Sequence, residues 1–390
     1  MHRIRLFNIS DLFVGLWALY YMQGMLYPQG IINQCVQLIM ILMGLVSLGK
    51  CIITKANSSL IVTSALLVLM YILYGGVIIL FGDGIPWTTD STYLKNSLNS
   101  LLPIFFFYLQ TKNANLTENR IRIYTLIMLL CVMLFYSFVG QKLLLEQEVE
   151  ETTNNIGYMF VALIPFVFFG YKNPIFQYVL LAILMLYILL GMKRGAIAIG
   201  AMLVVIFIYS QFKEGTGKRK VYALALSIIF ILCAIYFVEY MNETSEYFAQ
   251  RVESTIQGNN SGRNRLYSSV WSAVRNEENI IRILFGHGAN STIKYAGNFA
   301  HQDWLETMCN NGLLGVCLLI AFFVSFGNTV LKSRRSVLPH YYYCFLTLFA
   351  LSLSKTLFSM SIQGFDMYQG MLIGYFACVT SNPRITKLKM

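Results

Sequence analysis

Residues 174–212 read PIFQYVLLAILMLYILLGMKRGAIAIGAMLVVIFIYSQF, two apolar runs joined by Gly191-Met192-Lys193-Arg194-Gly195. A helix that crosses a bilayer needs roughly 20 apolar residues, and each run comes close to that length. A strand of a transmembrane barrel would instead show about ten residues of alternating polarity, and neither run alternates. The pair reads as two antiparallel apolar helices joined by a short basic turn.

The same pattern continues on both sides. The chain has 390 residues, 57% of them hydrophobic, and a mean hydropathy of +0.60, too oily for an ordinary soluble domain of this size. Apolar segments fall near residues 7–27, 31–49, 58–80, 98–111, 122–140, 156–171, 174–191, 195–212, 221–240, 312–331, 339–355 and 366–381. Those at 98, 156 and 366 are short or interrupted by Gly, which sets the range at ten to twelve. The expected fold is an all-α polytopic membrane protein of about twelve transmembrane helices with one large, partly helical external loop. Four parts follow from it: residues 1–155, N-terminal helices and an acidic external loop; 156–241, central helices with the external basic turn; 242–311, the large external loop; and 312–390, C-terminal helices and a cytoplasmic tail.

Charge supplies an orientation. With the N-terminus inside, Arg3, Arg5, Lys50, Lys55, Lys112, Arg120, Arg122, Lys172, Lys213, Lys218, Arg219, Lys220, Lys332, Arg334, Arg335, Arg384, Lys387 and Lys389 fall on the cytoplasmic side. Asp83, Asp90 and the acidic run Glu146, Glu148, Glu150 and Glu151 fall outside. The net charge of +11 is then mostly a topology signal, and nucleic acid is not an expected partner. The first apolar segment lacks a small-residue cleavage site and reads as an uncleaved helix. Eight cysteines with no CxxC spacing read as small apolar core residues, without a metal or disulfide framework.

Lys193 and Arg194 oppose that charge bias, since their turn lies outside. Cations there can hold a phosphate or pyrophosphate at the lipid surface, or snorkel to headgroups. On the same side lies the polar stretch from Asn242 to Asn311. Within it, Leu266, Val270 and Val274 at spacing four predict a helix over Arg263 to Arg275, with Trp271 beside the stripe. The glycines of Gly286-His287-Gly288 read as a sharp turn that serves folding or holds the imidazole toward a substrate. From Phe299 the pattern turns into a helix entering the membrane, and Gly312 and Gly315 allow a break or a close helix approach. Lys355 is either a lipid-phosphate contact or a boundary charge.

The run His301-Gln302-Asp303-Trp304-Leu305-Glu306, followed by Asn311-Gly312-Leu313-Leu314-Gly315, resembles the signature near the end of the main periplasmic loop in the O-antigen ligase and polymerase superfamily. That superfamily includes capsule and exopolysaccharide repeat-unit polymerases. His301 matches its His, Leu305 and Glu306 its Leu-Glu pair, and Gln302 stands where Asn is frequent. Arg263 or Arg265 with Trp271, and the turn at His287, resemble earlier loop elements, while Lys193-Arg194-Gly195 resembles a short basic turn often written Ser-Arg-Gly. The match covers roughly residues 155–330.

The resemblance implies a membrane glycosyltransferase of the bacterial cytoplasmic (inner) membrane, with both termini cytoplasmic. It would use an undecaprenyl-pyrophosphate-linked glycan at the outer face and need no nucleotide sugar, cofactor or metal. A polymerase moves the growing chain onto a fresh lipid-linked repeat unit; a ligase moves the glycan onto another acceptor such as lipid A core. Membrane lipids, a chain-length regulator and a repeat-unit flippase are the implied partners. The reaction pushes negative charge onto pyrophosphate and takes a proton from the acceptor hydroxyl. His301 is the expected base, with Glu306 or Asp303 orienting it. Arg263 and Arg265 complete the expected catalytic set, and Lys193, Arg194 and His287 the pyrophosphate-binding set. Polymerisation is preferred over ligation because no feature points to a lipid A acceptor. A transporter or flippase, the further alternative, would favour ionisable groups at mid-membrane on discontinuous helices.

Overall fold

The computed structural model describes residues 8–26, 30–56, 58–81, 87–140, 156–191, 193–244, 253, 263–359 and 367–381. The acidic run around Glu148 and the arginines and lysines of both chain ends lie outside the described residues. The described part is helical: α1 Ile9–Leu26, α2 Ile31–Ile53, α3 Ser59–Phe81, α4 Trp87–Lys112, α5 Glu118–Phe135, α6 Ile156–Val161, α7 Pro174–Leu190, α8 Arg194–Glu214 and α9 Gly217–Thr244. Then come three shorter helices, α10 Arg263–Arg275, α11 Ile280–Phe285 and α12 Ser291–Ala296. Three longer ones close the list, α13 Asp303–Ser336, α14 Pro339–Phe358 and α15 Met367–Ser381.

The expectation of about twelve spans is overturned. Among the described residues six helices are long and apolar enough to cross a membrane: Ile31–Ile53, Ser59–Gly76, Glu118–Phe138, Arg194–Glu214, Gly217–Phe237 and Asp303–Ser336. Apolar composition had been counted without asking whether the backbone runs on as one helix. Residues 156–171 divide into the six-residue α6 and a 3₁₀ turn, Ile164–Gly170, whose second residue is Pro165; α7 has 17 residues and α15 has 15. The apolar run at 98–111 is the second half of α4, whose first half carries Thr88, Asp90, Lys95 and Asn96.

The large external loop is corrected with it. No such loop is set apart among the described residues: α9 runs past residue 242, and α13 begins at Asp303, so nine residues assigned to the loop belong to a candidate span. The other described residues of this stretch form α10–α12, each of which packs against α13, and α10 packs also against α12. What stands is a polytopic, largely α-helical membrane protein with several apolar spans.

At the centre are α4 and α15. Leu101 to Leu109 of α4 are buried on every side, as are Met367 to Val379 of α15. A helix apolar all round belongs inside a bundle. Small residues let such helices approach closely, and a Cβ on Gly374 would lie 2.3 Å from the Ile104 carbonyl oxygen. By contrast α9 leaves Ile228, Ile229, Leu232 and Ile235 exposed, the surface of a helix whose solvent is lipid.

Two polar clusters mark opposite ends of this bundle. One gathers Asp11 with Arg120 and Tyr124, joining α1 to α5, and Arg122 with the Phe169 carbonyl at 2.6 Å. The other lies where α8 and α13 begin and α14 ends.

Candidate functional site

The second end is assembled from short elements with tight backbone contacts. The turn before α8 packs on α6 through two glycines, since a Cβ on Gly191 would sit 3.1 Å from the Gly157 Cα. That contact fixes Lys193 as the residue ahead of the first turn of α8, half-buried, with Arg194 exposed beside it. Cations at a helix N-terminus oppose the helix dipole, so this corner is doubly positive.

Helix α10 spans Arg263–Arg275, the bounds its apolar spacing predicts. Val270 is fully buried with Ala300 and Cys309, and Tyr267, Val274, Tyr295 and Leu305 pack around them. This small second core holds α10 against α12 and α13. It puts Arg263 at the near end, where its Nη1 donates to the Phe358 carbonyl at 3.3 Å, at the end of α14.

His301 lies in the bend before α13 with φ of +55°, a left-handed conformation that side-chain-bearing residues seldom adopt. Its half-buried imidazole is held below the ordinary 6.5, first by burial and then by the positive charges of Arg263 and Lys193. The ring is therefore neutral at pH 7 and able to accept a proton. Two cations far away in sequence, Lys193 and Arg263, thus lie within electrostatic reach of His301.

Glu306 takes a different place from the one expected. Its carboxylate accepts from the backbone N–H of Ala300 and of His301, from Thr292 Oγ1 at 2.7 Å and from Asn310 Nδ2 at 3.4 Å. It holds the main chain of the bend rather than the imidazole, which secures His301 in its uncommon conformation. Asp303 is buried nearby, close enough with Glu306 to act electrostatically on Tyr71 of α3. Thr292 and Asn310 escaped the sequence reading: nothing local marks Thr292 as a partner of a carboxylate fourteen positions away, and Asn310, one helical turn past Glu306, carries no signal of its own.

The two loop arginines separate. Arg263 faces His301, whereas Arg265 is exposed on α10. His287 belongs to another network. Its Nδ1 lies 2.9 Å from Tyr295 Oη and 3.5 Å from a Glu277 carboxylate oxygen. Burial lowers its pKa, with Arg282 and Lys294 acting the same way against Glu277, so the ring is neutral and its approach to Glu277 is not an ion pair at pH 7. The backbone of the turn docks on α13, with His287 N donating to the Cys309 carbonyl at 2.8 Å and Gly288 N to that of Asn310 at 3.1 Å.

Beside His301 runs an open, mostly apolar groove of about 480 Å³, lined by Tyr267, Trp271, Trp304, Leu305, Met308 and Val316 among others. Trp304 Nε1 donates to Thr356 Oγ1 at 3.1 Å, linking the groove to the residue next to Lys355. Lys355 is buried, its Nζ 5.7 Å above the ring of Tyr158. Lys193, Arg263 and a neutral His301 thus lie near an open apolar groove whose lining includes Gln302, the residue after His301. No family model matches the chain, and no curated protein does either.

Proposed function

We propose that this protein polymerises undecaprenyl-pyrophosphate-linked oligosaccharide repeat units into O-antigen, capsule or exopolysaccharide, at the outer face of a bacterial cytoplasmic membrane, with both chain termini inside. The observation that carries the reading is that Lys193 and Arg263 both lie within electrostatic reach of a neutral His301. The residues around His301, which resemble the O-antigen ligase and polymerase signature, support it, as does the apolar groove alongside, which suits the isoprenoid part of a donor.

In this mechanism an acceptor hydroxyl on the lipid-linked unit attacks the anomeric carbon of the growing chain. The new C–O bond forms as the anomeric C–O bond to phosphate breaks, and its electron pair stays on the leaving pyrophosphate. The hydroxyl proton passes to His301. Lys193 and Arg263 stabilise the charge that builds on the leaving oxygens, an effect strongest in a pocket that excludes water. Glu306 fixes the bend, so it is a positioning residue.

The test is the length distribution of lipid-linked glycan in cells making the intact chain or His301→Asn at equal membrane abundance. Asn tolerates the left-handed backbone and lacks the basic imidazole. Ladders longer than one repeat with the intact chain, and single units with the variant, are expected. Ladders unchanged by the variant remove His301 from the chemistry. Long lipid-linked glycan that accumulates without reaching its final acceptor points to ligation instead.

A further inference from the structure

Neither the sequence pattern nor the mechanism above uses Tyr158. It is 2% exposed, and among the described residues its hydroxyl has no hydrogen-bond partner. Buried hydroxyls are nearly always paired, so an orphan with Lys355 over its ring and Arg263 within electrostatic reach asks for a ligand oxygen. The surroundings define what kind. A Cβ on Gly195 would lie 2.2 Å from Tyr158 Oη, which puts the hydroxyl against the first turn of α8 between Arg194 and Ala196. Arg263 is near enough to act on it electrostatically, and Lys355 Nζ stands over the ring face. A cation over the face leaves the O–H, which lies in the ring plane, directed elsewhere. An ammonium or guanidinium has no lone pair to receive that proton, whereas a phosphoryl oxygen drawn in by the cations does.

We propose that the Tyr158 hydroxyl donates a hydrogen bond to a phosphoryl oxygen of an isoprenoid pyrophosphate, held at the same time by Lys193, Arg263 and Lys355. This rests on the lipid-pyrophosphate reading of the site and adds Tyr158 and Lys355 to the residues that touch the substrate. The bond is charge-assisted and shortens as charge develops on the leaving oxygen, so it favours departure of the pyrophosphate.

Binding of farnesyl pyrophosphate and of inorganic pyrophosphate to the purified full-length chain in detergent tests the assignment, alongside the thermal unfolding midpoint. Tyr158→Phe keeps the ring beneath Lys355 and removes only the hydroxyl. It is expected to weaken both probes about tenfold with no fall in midpoint, since the hydroxyl has no partner to lose. Lys355→Met is expected to weaken them further. Equal binding by intact chain and Tyr158→Phe, or weaker binding only with a lowered midpoint, overturns the role of the hydroxyl. A chain that lengthens glycan ladders in cells but binds neither probe overturns the pyrophosphate pocket while the polymerase reading stands. A chain that does neither removes both.

Discussion

Gly286 and Gly312 meet backbone to backbone: a Cβ on Gly312 would lie 2.4 Å from the Gly286 nitrogen, and both residues have positive φ, +77° and +62°. The α13 helix breaks at Gly312, and the turn carrying His287 fills the break. Tyr74 Oη reaches the Phe285 carbonyl, and Tyr93 Oη pairs with Asn311 at 3.1 Å, so α3 and α4 brace this junction. These contacts tie the turn at 286–288 to α13 on the stretch between His301 and the apolar part of the span.

Gly312→Ala and Gly286→Ala each combine a backbone clash with left-handed strain and should destabilise the protein by about 2–4 kcal/mol. Gly288→Ala has the same kind of strain, φ +98°, but open space around it, and should cost only about 1 kcal/mol. Unfolding midpoints of the three variants in one detergent check the order. Equal effects at 288 and 312 would mean that close approach is not what requires glycine there.

Gly195→Ala places a methyl group on the Tyr158 hydroxyl. The loss of stability should be about 1–3 kcal/mol, and the double variant with Tyr158→Phe should recover about half of it. A double-mutant cycle on unfolding measures that coupling, and additive losses would show that the two residues do not press on each other.

Much of this corner was legible in the sequence. The spacing of Leu266, Val270 and Val274 predicts α10 to the residue, and the glycines predict both the turn at 286–288 and the break at 312. Val270 is the buried member of that stripe, but Tyr267 joins the small core, and Trp271 faces the groove. The number of spans was not legible, because hydropathy reports what surrounds a segment and not whether its backbone continues as one helix. Within one apolar run α6 stops at Val161 and a 3₁₀ turn containing Pro165 follows, and Asp303 and Glu306 lie buried at the start of a candidate span. Tyr158 gave no signal at all, being one of 25 tyrosines, set in an apolar run like most others.

The depressed pKa of His301 fixes the sign of a pH effect. A base must be unprotonated, so turnover should hold steady from pH 8 down to 6.5 and fall only below that, as the ring gains its proton. Arg263→Gln or Lys193→Gln removes a charge that lowers this pKa, and each should move the acid limb toward higher pH. Stability follows the same window: the unfolded chain binds the proton more readily, so this histidine destabilises the fold as pH falls through 6.5. Rate profiles of the intact chain and both variants decide the matter, and an acid limb that stays in place would separate these cations from the imidazole.

Glu306→Gln leaves an amide NH₂ facing the donors of Ala300, His301, Thr292 and Asn310. It should cost about 2–3 kcal/mol in stability and lower activity with it. His301→Asn should lower activity at least a hundredfold with stability kept within about 1 kcal/mol. Midpoints and rates measured on the same preparations separate a residue that positions the bend from one that moves a proton.

The most direct test of the central claim is release of undecaprenyl pyrophosphate in proteoliposomes, with lipid-linked glycan extracted from cells in which the chain has been deleted as substrate. One undecaprenyl pyrophosphate freed for each repeat joined by the intact chain is expected, with none above background from His301→Asn and a reduced but measurable amount from Arg263→Gln. Glycan joined without pyrophosphate release, or release undiminished in both variants, would contradict that claim.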